Sequence, residues 1–132
     1  MPMKLVINGR LPNLNDLVEK ERTHRQAGAK LKRESQAEVI WFIRTQLREA
    51  LKEPVYMAYL WVEKDRRRDM DNVSAFGRKV IQDALVITGR LKNDGWDNII
   101  GFCDDFAVDK DRPRIEVTIY ENGEEVPWTK ET

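Results

Sequence analysis

The sequence has little that would mark a secreted, disulfide-bonded or membrane protein. Its only cysteine, Cys103, excludes an internal disulfide. A lone cysteine without a visible base partner is typical of a packing residue rather than a nucleophile. No apolar run approaches the ~20 residues of a transmembrane helix, and none follows Met1 as in a signal peptide. We therefore expect a cytoplasmic protein with no part in a membrane.

The chain also lacks net charge, since 23 basic residues balance 23 acidic ones. Overall charge therefore gives no argument for a nucleic-acid or membrane partner, but its distribution does. Basic residues dominate 20–33 and acidic residues dominate 94–111, and such segregation suits one anion-binding and one cation-binding patch. The basic run permits two interpretations, a solvated helix face or a phosphate contact through Arg25, Lys30 and Lys32.

A chain of 132 residues predicts a single domain over 1–132, with a frayed tail at 122–132. Alternating or continuous apolar residues predict four strands, at 3–8, 55–62, 99–108 and 113–120. The strand at 55–62 is apolar nearly throughout, which favours burial on both faces. A short polar connection between the last two strands predicts a hairpin. The fold class is therefore α+β, a mixed sheet with helices packed on one side.

Three helices are expected between these strands. Asn13 or Asn15 caps the first, which runs to about residue 25, and Gly28 predicts a break after it. Ser35 begins the second with a capping-box signature, and Pro54 stops it.

The third helix covers 73–87 and has the clearest periodicity in the chain. Its apolar residues follow the i, i+3, i+4, i+7 pattern. Gly89 is expected as the left-handed residue that ends it. The opposite face carries Asp71, Ala75, Lys79 and Asp83 at four-residue intervals, which places an amine about two turns from a carboxylate.

The stretch between the second strand and this helix holds the candidate site. Asp69 and Asp71 stand two residues apart, next to Arg66, Arg67 and Arg68. Carboxylates fixed between two regular elements are suited to Mg²⁺, which prefers oxygen ligands. The alternative is that Asp69 or Asp71 is only a helix cap and the arginines a solvated turn.

At this point the chain resembles the RusA family of Holliday-junction resolvases, which are often carried by phages and prophages. The resemblance covers about half of the chain, from the second strand to the last two strands, and is looser in the first third. It rests on three motifs, which are Arg67-Arg68-Asp69-Met70-Asp71-Asn72, Lys79-Val80-Ile81-Gln82-Asp83-Ala84-Leu85 and Asn93-Asp94.

The resemblance implies a homodimeric endonuclease, dependent on Mg²⁺ or Mn²⁺, that cuts four-way junctions and other branched DNA in recombination and repair. By it, Asp69 and Asp71 hold metal, Asp94 completes the acidic site and Lys79 serves the phosphate. Two departures stand out. Ala75 occupies the position where some relatives carry the lysine, and Asp97 competes with Asp94 for the third ligand.

Elementary electrostatics agrees with this expectation. Phosphodiester hydrolysis needs charge neutralised on the attacking and leaving oxygens, and Arg66, Arg67 and Arg68 offset the repulsion between an acidic site and DNA. Two other classes remain open, a non-catalytic nucleic-acid-binding module and, more remotely, a metal-dependent sugar-nucleotide transferase. For the homodimer, Leu5, Ile7 and Trp128 are interface candidates, unless they only complete the monomer's core.

Overall fold

The computed structural model describes residues 2–126. These residues form four strands, β1 Met3–Asn8, β2 Val55–Glu63, β3 Ile99–Val108 and β4 Arg114–Tyr120. They also form three helices, α1 Leu14–Thr23, α2 Arg25–Gln46 and α3 Met70–Ile87. The expected α+β class with a mixed sheet is confirmed. Within 2–126, no helix combines the length and the apolar character needed to cross a membrane.

The strands are ordered β1-β4-β2-β3. β4 pairs antiparallel with both β1 and β2, whereas β3 pairs parallel with β2. The predicted hairpin of β3 and β4 is therefore wrong, because β2 lies between them. α3 carries the chain back to the end of the sheet at which β2 begins, so β3 must run parallel to β2. The following turn then crosses the end of β2, where the Asp109 N–H donates to the Glu63 carbonyl at 2.8 Å.

The core lies between the helices and one face of the sheet. Cross-strand rows on that face join Leu5, Val117 and Tyr59, and all three side chains are buried. Buried residues of α1, α2 and α3 belong to the same apolar cluster. On the opposite face, β2 carries residues that are only half-buried, so the expected burial of β2 on both faces is incomplete.

Leu5 and Ile7, expected as interface candidates, are 0% and 1% exposed. They fill the core of the single chain, so an interface through them is wrong. Trp128 lies outside the described residues.

The first predicted cap is confirmed, and the predicted break after it is not. Asn13 accepts the Asp16 N–H at 2.8 Å, and Asp16 accepts the Asn13 N–H at 2.9 Å, which together form a capping box. Gly28 lies inside α2 rather than at a break. A Cβ there would stand 2.5 Å from Glu21 Cγ, so the glycine permits close approach of α1 to α2.

Both predicted ends of the second helix are also wrong. Ser35 is buried within α2, and its hydroxyl donates to the Leu31 carbonyl one turn earlier at 2.8 Å. α2 ends at Gln46 rather than near Pro54. At that end, Arg90 supplies hydrogen bonds to the last carbonyl, because its Nε and one Nη donate to the Leu47 oxygen at 2.9 and 2.6 Å. For α3, Gly89 has φ +73°, as a left-handed residue after the helix should.

Candidate functional site

The two carboxylates of the Asp69–Asp71 pair stand at the start of α3, directly beyond the charged turn after β2. Asp69 occupies the N-cap position, but its side chain makes no capping hydrogen bond. Asp71 is exposed in the first turn, where the helix dipole favours a negative charge. Neither carboxylate has a hydrogen bond or ion pair within residues 2–126. The alternative in which the Asp69 side chain merely caps the helix is therefore not what the structure shows.

The three neighbouring arginines have different surroundings. Arg66 and Arg67 are exposed, and Arg67 lies 3.7 Å from Asp65. The Arg68 side chain is only 16% exposed and donates to the Leu11 carbonyl at 2.9 Å. Arg66 and Arg67 thus remain accessible to a phosphate, whereas Arg68 also ties the turn to the chain after β1.

Lys79 joins two further carboxylates on the exposed side of α3. Its Nζ lies 2.8 Å from Asp94 and 3.0 Å from Asp83. The hydrogen bond that Lys79 donates to Asp94, and next that to Asp83, raises the pKa of Lys79. In return, the bond from Lys79 lowers the pKa of Asp94. The 92–98 loop thus approaches α3 at Lys79 and not at the Asp69–Asp71 pair.

The proposed metal ligands do not form one set of ligands within the chain. In the part of the chain from 2 to 126, no three His, Cys, Asp or Glu side chains form a group that could hold a metal ion. Helix geometry explains the separation, because eight residues from Asp71 to Lys79 correspond to a rise of about 12 Å. Asp94 stands beside Lys79, and Asp97, the other candidate for third ligand, is exposed.

One cluster that no motif in the sequence indicates lies next to Lys79 on α3 and is centred on Arg78. Its Nη1 lies 2.5 Å from Asp104 on β3, and its guanidinium stands 4.5 Å from the centre of the Phe102 ring. The other oxygen of Asp104 accepts the Trp61 indole N–H at 2.9 Å. Asp104 and Asp105, two acidic residues in an otherwise apolar strand, indicated a polar contact on β3 but not its partner.

The basic residues expected to contact phosphate lie on α2, and all three are exposed. Lys30 is 3.7 Å from Glu34, while no ion pair within the described segment links Arg25, Lys30 or Lys32 to the Asp69–Asp71 pair or Asp94. Both earlier interpretations of this run, a solvated helix face and a phosphate contact, therefore stay open.

Comparisons with known proteins add no family assignment. The sequence matches no family model and no curated protein. The fold and the arrangement of the site, together with the motifs in the sequence, are therefore what a functional proposal rests on.

Proposed function

We propose that this protein is an endodeoxyribonuclease that resolves four-way DNA junctions and related branched DNA by phosphodiester hydrolysis, with Mg²⁺ or Mn²⁺ as cofactor. The proposal rests mainly on the arrangement of charged side chains at the start of α3. Asp69 and Asp71 present two carboxylates there that have no hydrogen-bond or ion-pair partner among residues 2–126, beside the exposed Arg66 and Arg67. The resemblance of this stretch to the RusA family supports the same chemistry.

The position of the pair in the fold supports a substrate site. β2 and β3 run parallel, so their carboxyl ends meet at one edge of the sheet, and α3 begins at that edge. Crevices outside the carboxyl ends of parallel strands are common ligand sites. Exposed arginines at the same edge provide phosphate contacts that offset the acidic pair.

Lys79 acts in this proposal as a cation rather than a base. Its raised pKa keeps it protonated at neutral pH, and a protonated amine can stabilise negative charge that develops on a phosphate. In the single chain it instead holds Asp94 and Asp83.

Asp69, Asp71 and Asp94 do not fit a preformed three-carboxylate metal site. The third carboxylate pairs with Lys79, and within 2–126 no such group exists. The cofactor part of the proposal therefore rests on the resemblance and on the chemistry of the Asp69–Asp71 pair, whose hard oxygen donors suit Mg²⁺.

The experiment is to replace Asp69, Asp71 and Asp94 singly with asparagine. Each change should abolish Mg²⁺-dependent cleavage of a four-way junction and leave junction binding within a few-fold of the unaltered protein. Asp111→Asn, an exposed residue in the turn after β3, is the matched control and should cleave normally. Full activity in Asp71→Asn would contradict the proposed site, whereas loss of activity in Asp97→Asn but not in Asp94→Asn would transfer the third role to Asp97.

A non-catalytic nucleic-acid-binding module is the second candidate. The separation of Asp94 from the Asp69–Asp71 pair favours it. Junction binding that is never followed by cleavage, at any Mg²⁺ or Mn²⁺ concentration, is the result this module predicts. Either function is proposed to operate as a homodimer, because a four-way junction has two equivalent strands and a two-fold assembly presents two equivalent sites.

A further inference from the structure

A cleft of about 550 Å³ opens at the carboxyl ends of β2 and β3. Its wall is apolar and comes from both the start of α3 and the end of β3, and it consists of Met70, Val73, Phe106, Ala107 and Val108. Its charged rim consists of Glu63, Asp65, Arg66, Arg68 and Asp69. The proposed metal ligand Asp69 thus borders a pocket with an aromatic side chain in its wall.

A buried cluster of charges adjoins this cleft. Glu63, which is 9% exposed, lies 3.1 Å from Arg10 Nη2 and 3.4 Å from Arg68 Nε. Arg10, Arg66 and Arg68 carry three positive charges at the cleft, and these equal the three negative charges of Glu63, Asp65 and Asp69. Burial is the main reason that the pKa of Arg68 is lowered, and the charge of Glu63 opposes that shift.

The hydrogen bonding of the cluster is incomplete. Arg10 Nε and Arg68 Nε are buried without a hydrogen-bond partner, although Arg68 Nε is close enough to Glu63 for an ion pair. Buried donors in a cluster with only a structural role are normally satisfied. Arg68 thus retains an unused hydrogen-bond donor next to the cleft, beside the exposed Arg66.

We infer that this cleft holds one unpaired nucleotide of the branched DNA, with its base against Phe106 and Met70 and its phosphate beside Arg66 and Arg68. The inference rests on the proposed function. A flat base suits an apolar wall with an aromatic ring, and a phosphate suits the guanidinium groups of Arg66 and Arg68. A base inside a duplex cannot enter, whereas a base already unpaired at a branch point enters at little cost.

The test compares two four-way junctions that differ in one nucleotide at the crossover. One carries an unpaired thymidine, and the other carries an abasic residue at the same place. Without divalent cations, the unaltered protein should bind the thymidine junction about 5- to 150-fold more tightly, the range expected for stacking one base. Arg66→Gln should weaken binding of both junctions by the same factor and keep the preference.

Variants that fill the cleft provide the specific control. Val108→Trp, at a position 51% exposed on the same face of β3 as Phe106, should bring the two affinities together, and Met70→Trp, at a position 61% exposed, repeats the test on the opposite wall. Val18→Trp makes the same valine change at an exposed position on α1 and should keep the preference.

Three outcomes would overturn the inference. Equal binding of both junctions by the unaltered protein would overturn the inference about the cleft without contradicting the proposed nuclease activity. Displacement of the junction by an equimolar amount of thymidine monophosphate would assign the cleft to a free nucleotide instead. Failure to bind either junction would overturn both the inference and the DNA-binding part of the proposed function. A preference for the thymidine junction without any cleavage would support the inference and contradict only the proposed nuclease activity.

Discussion

At the scale of single residues, Lys79 is the side chain whose surroundings differ most from the sequence-based expectation. The sequence assigned it to phosphate, whereas in the single chain it holds Asp94 and Asp83. The Lys79 side chain is 63% exposed, so each pair contributes only about 0.2–1 kcal/mol to stability. This weak binding means that a phosphate or a cation can compete for either partner.

The paired state of Lys79 predicts opposite titration shifts. Asp94 should titrate below 3.8, its ordinary value, and Lys79 above 10.5. The stabilisation by Asp94 is then present above its unfolded-state pKa and is lost as the pH falls through the lower folded pKa. The stabilisation by Lys79 is present below 10.5 and is lost as the pH rises through the higher folded pKa.

Nuclear magnetic resonance titration of the two side chains measures these shifts. Asp94→Asn should return the Lys79 pKa toward its ordinary value but not fully, because Asp83 remains. Asp97→Asn should leave the Lys79 pKa unchanged and serves as the control. Ordinary titration of Lys79 in the unaltered protein would show that the pair does not form in solution.

The residues that the sequence could identify are those with a local signature. Asp69 and Asp71 follow an apolar strand and precede a periodic helix, so their place at the start of α3 was predictable. Arg78 was not, because its partner Asp104 is 26 positions away and only the parallel pairing of β3 brings the two together. Long-range pairing has no local signal in the sequence.

At the scale of elements, periodicity predicted the strands and α3 well and predicted α2 poorly. β3 has the expected bounds, and α3 begins three residues before the expected 73. In α2, Gly28 and Ser35 carry local signals for breaks and caps that packing overrides. Glu21 needs the space that Gly28 leaves, and the Ser35 hydroxyl bonds back to its own helix.

The packing of α3 against β2 predicts an unusual effect of a glycine substitution. Alanine normally stabilises a helix relative to glycine by about 1 kcal/mol. At Gly77, however, a Cβ would stand 2.7 Å from Trp61 Cζ3. Trp61 cannot retreat easily, because it is buried, bonded to Asp104 and stacked on Tyr59.

Gly77→Ala should therefore lower the free energy of unfolding by about 1–3 kcal/mol, measured by urea denaturation. Gly28→Ala is the matched control, since it meets mainly the flexible side chain of Glu21, and it should change stability by less than about 1 kcal/mol. Equal effects of the two substitutions would contradict the close packing of α3 on β2.

The basic face of α2 predicts a salt effect on DNA binding. If Arg25, Lys30 and Lys32 contact phosphates, changing all three to glutamine should weaken binding to every sequence alike. The slope of log affinity against log salt should fall by up to about 0.9 for each lost contact. Changing Arg48 and Lys52, two exposed residues outside that run, should leave the slope unaltered. An unchanged slope in the triple variant would show that these three residues of α2 are only solvated and do not contact phosphates.

At the scale of the whole molecule, composition and periodicity predicted the fold class and not the strand order. The error at β3 and β4 arose because a short polar connection usually joins neighbouring strands. Here the connection spans the end of β2 instead, held by the bond from Asp109 to Glu63. That crossing leaves the carboxyl ends of β2 and β3 side by side, next to the Asp69–Asp71 pair and the cleft.

The central claim is that this chain cuts branched DNA with the help of a divalent cation. The most direct measurement is incubation of the unaltered protein with an end-labelled four-way junction and with a linear duplex of the same sequence, each with and without Mg²⁺. The account predicts paired nicks on opposing arms of the junction, only when Mg²⁺ is present, and an intact duplex. An intact junction at every Mg²⁺ concentration, or equal cleavage of the duplex, would contradict it.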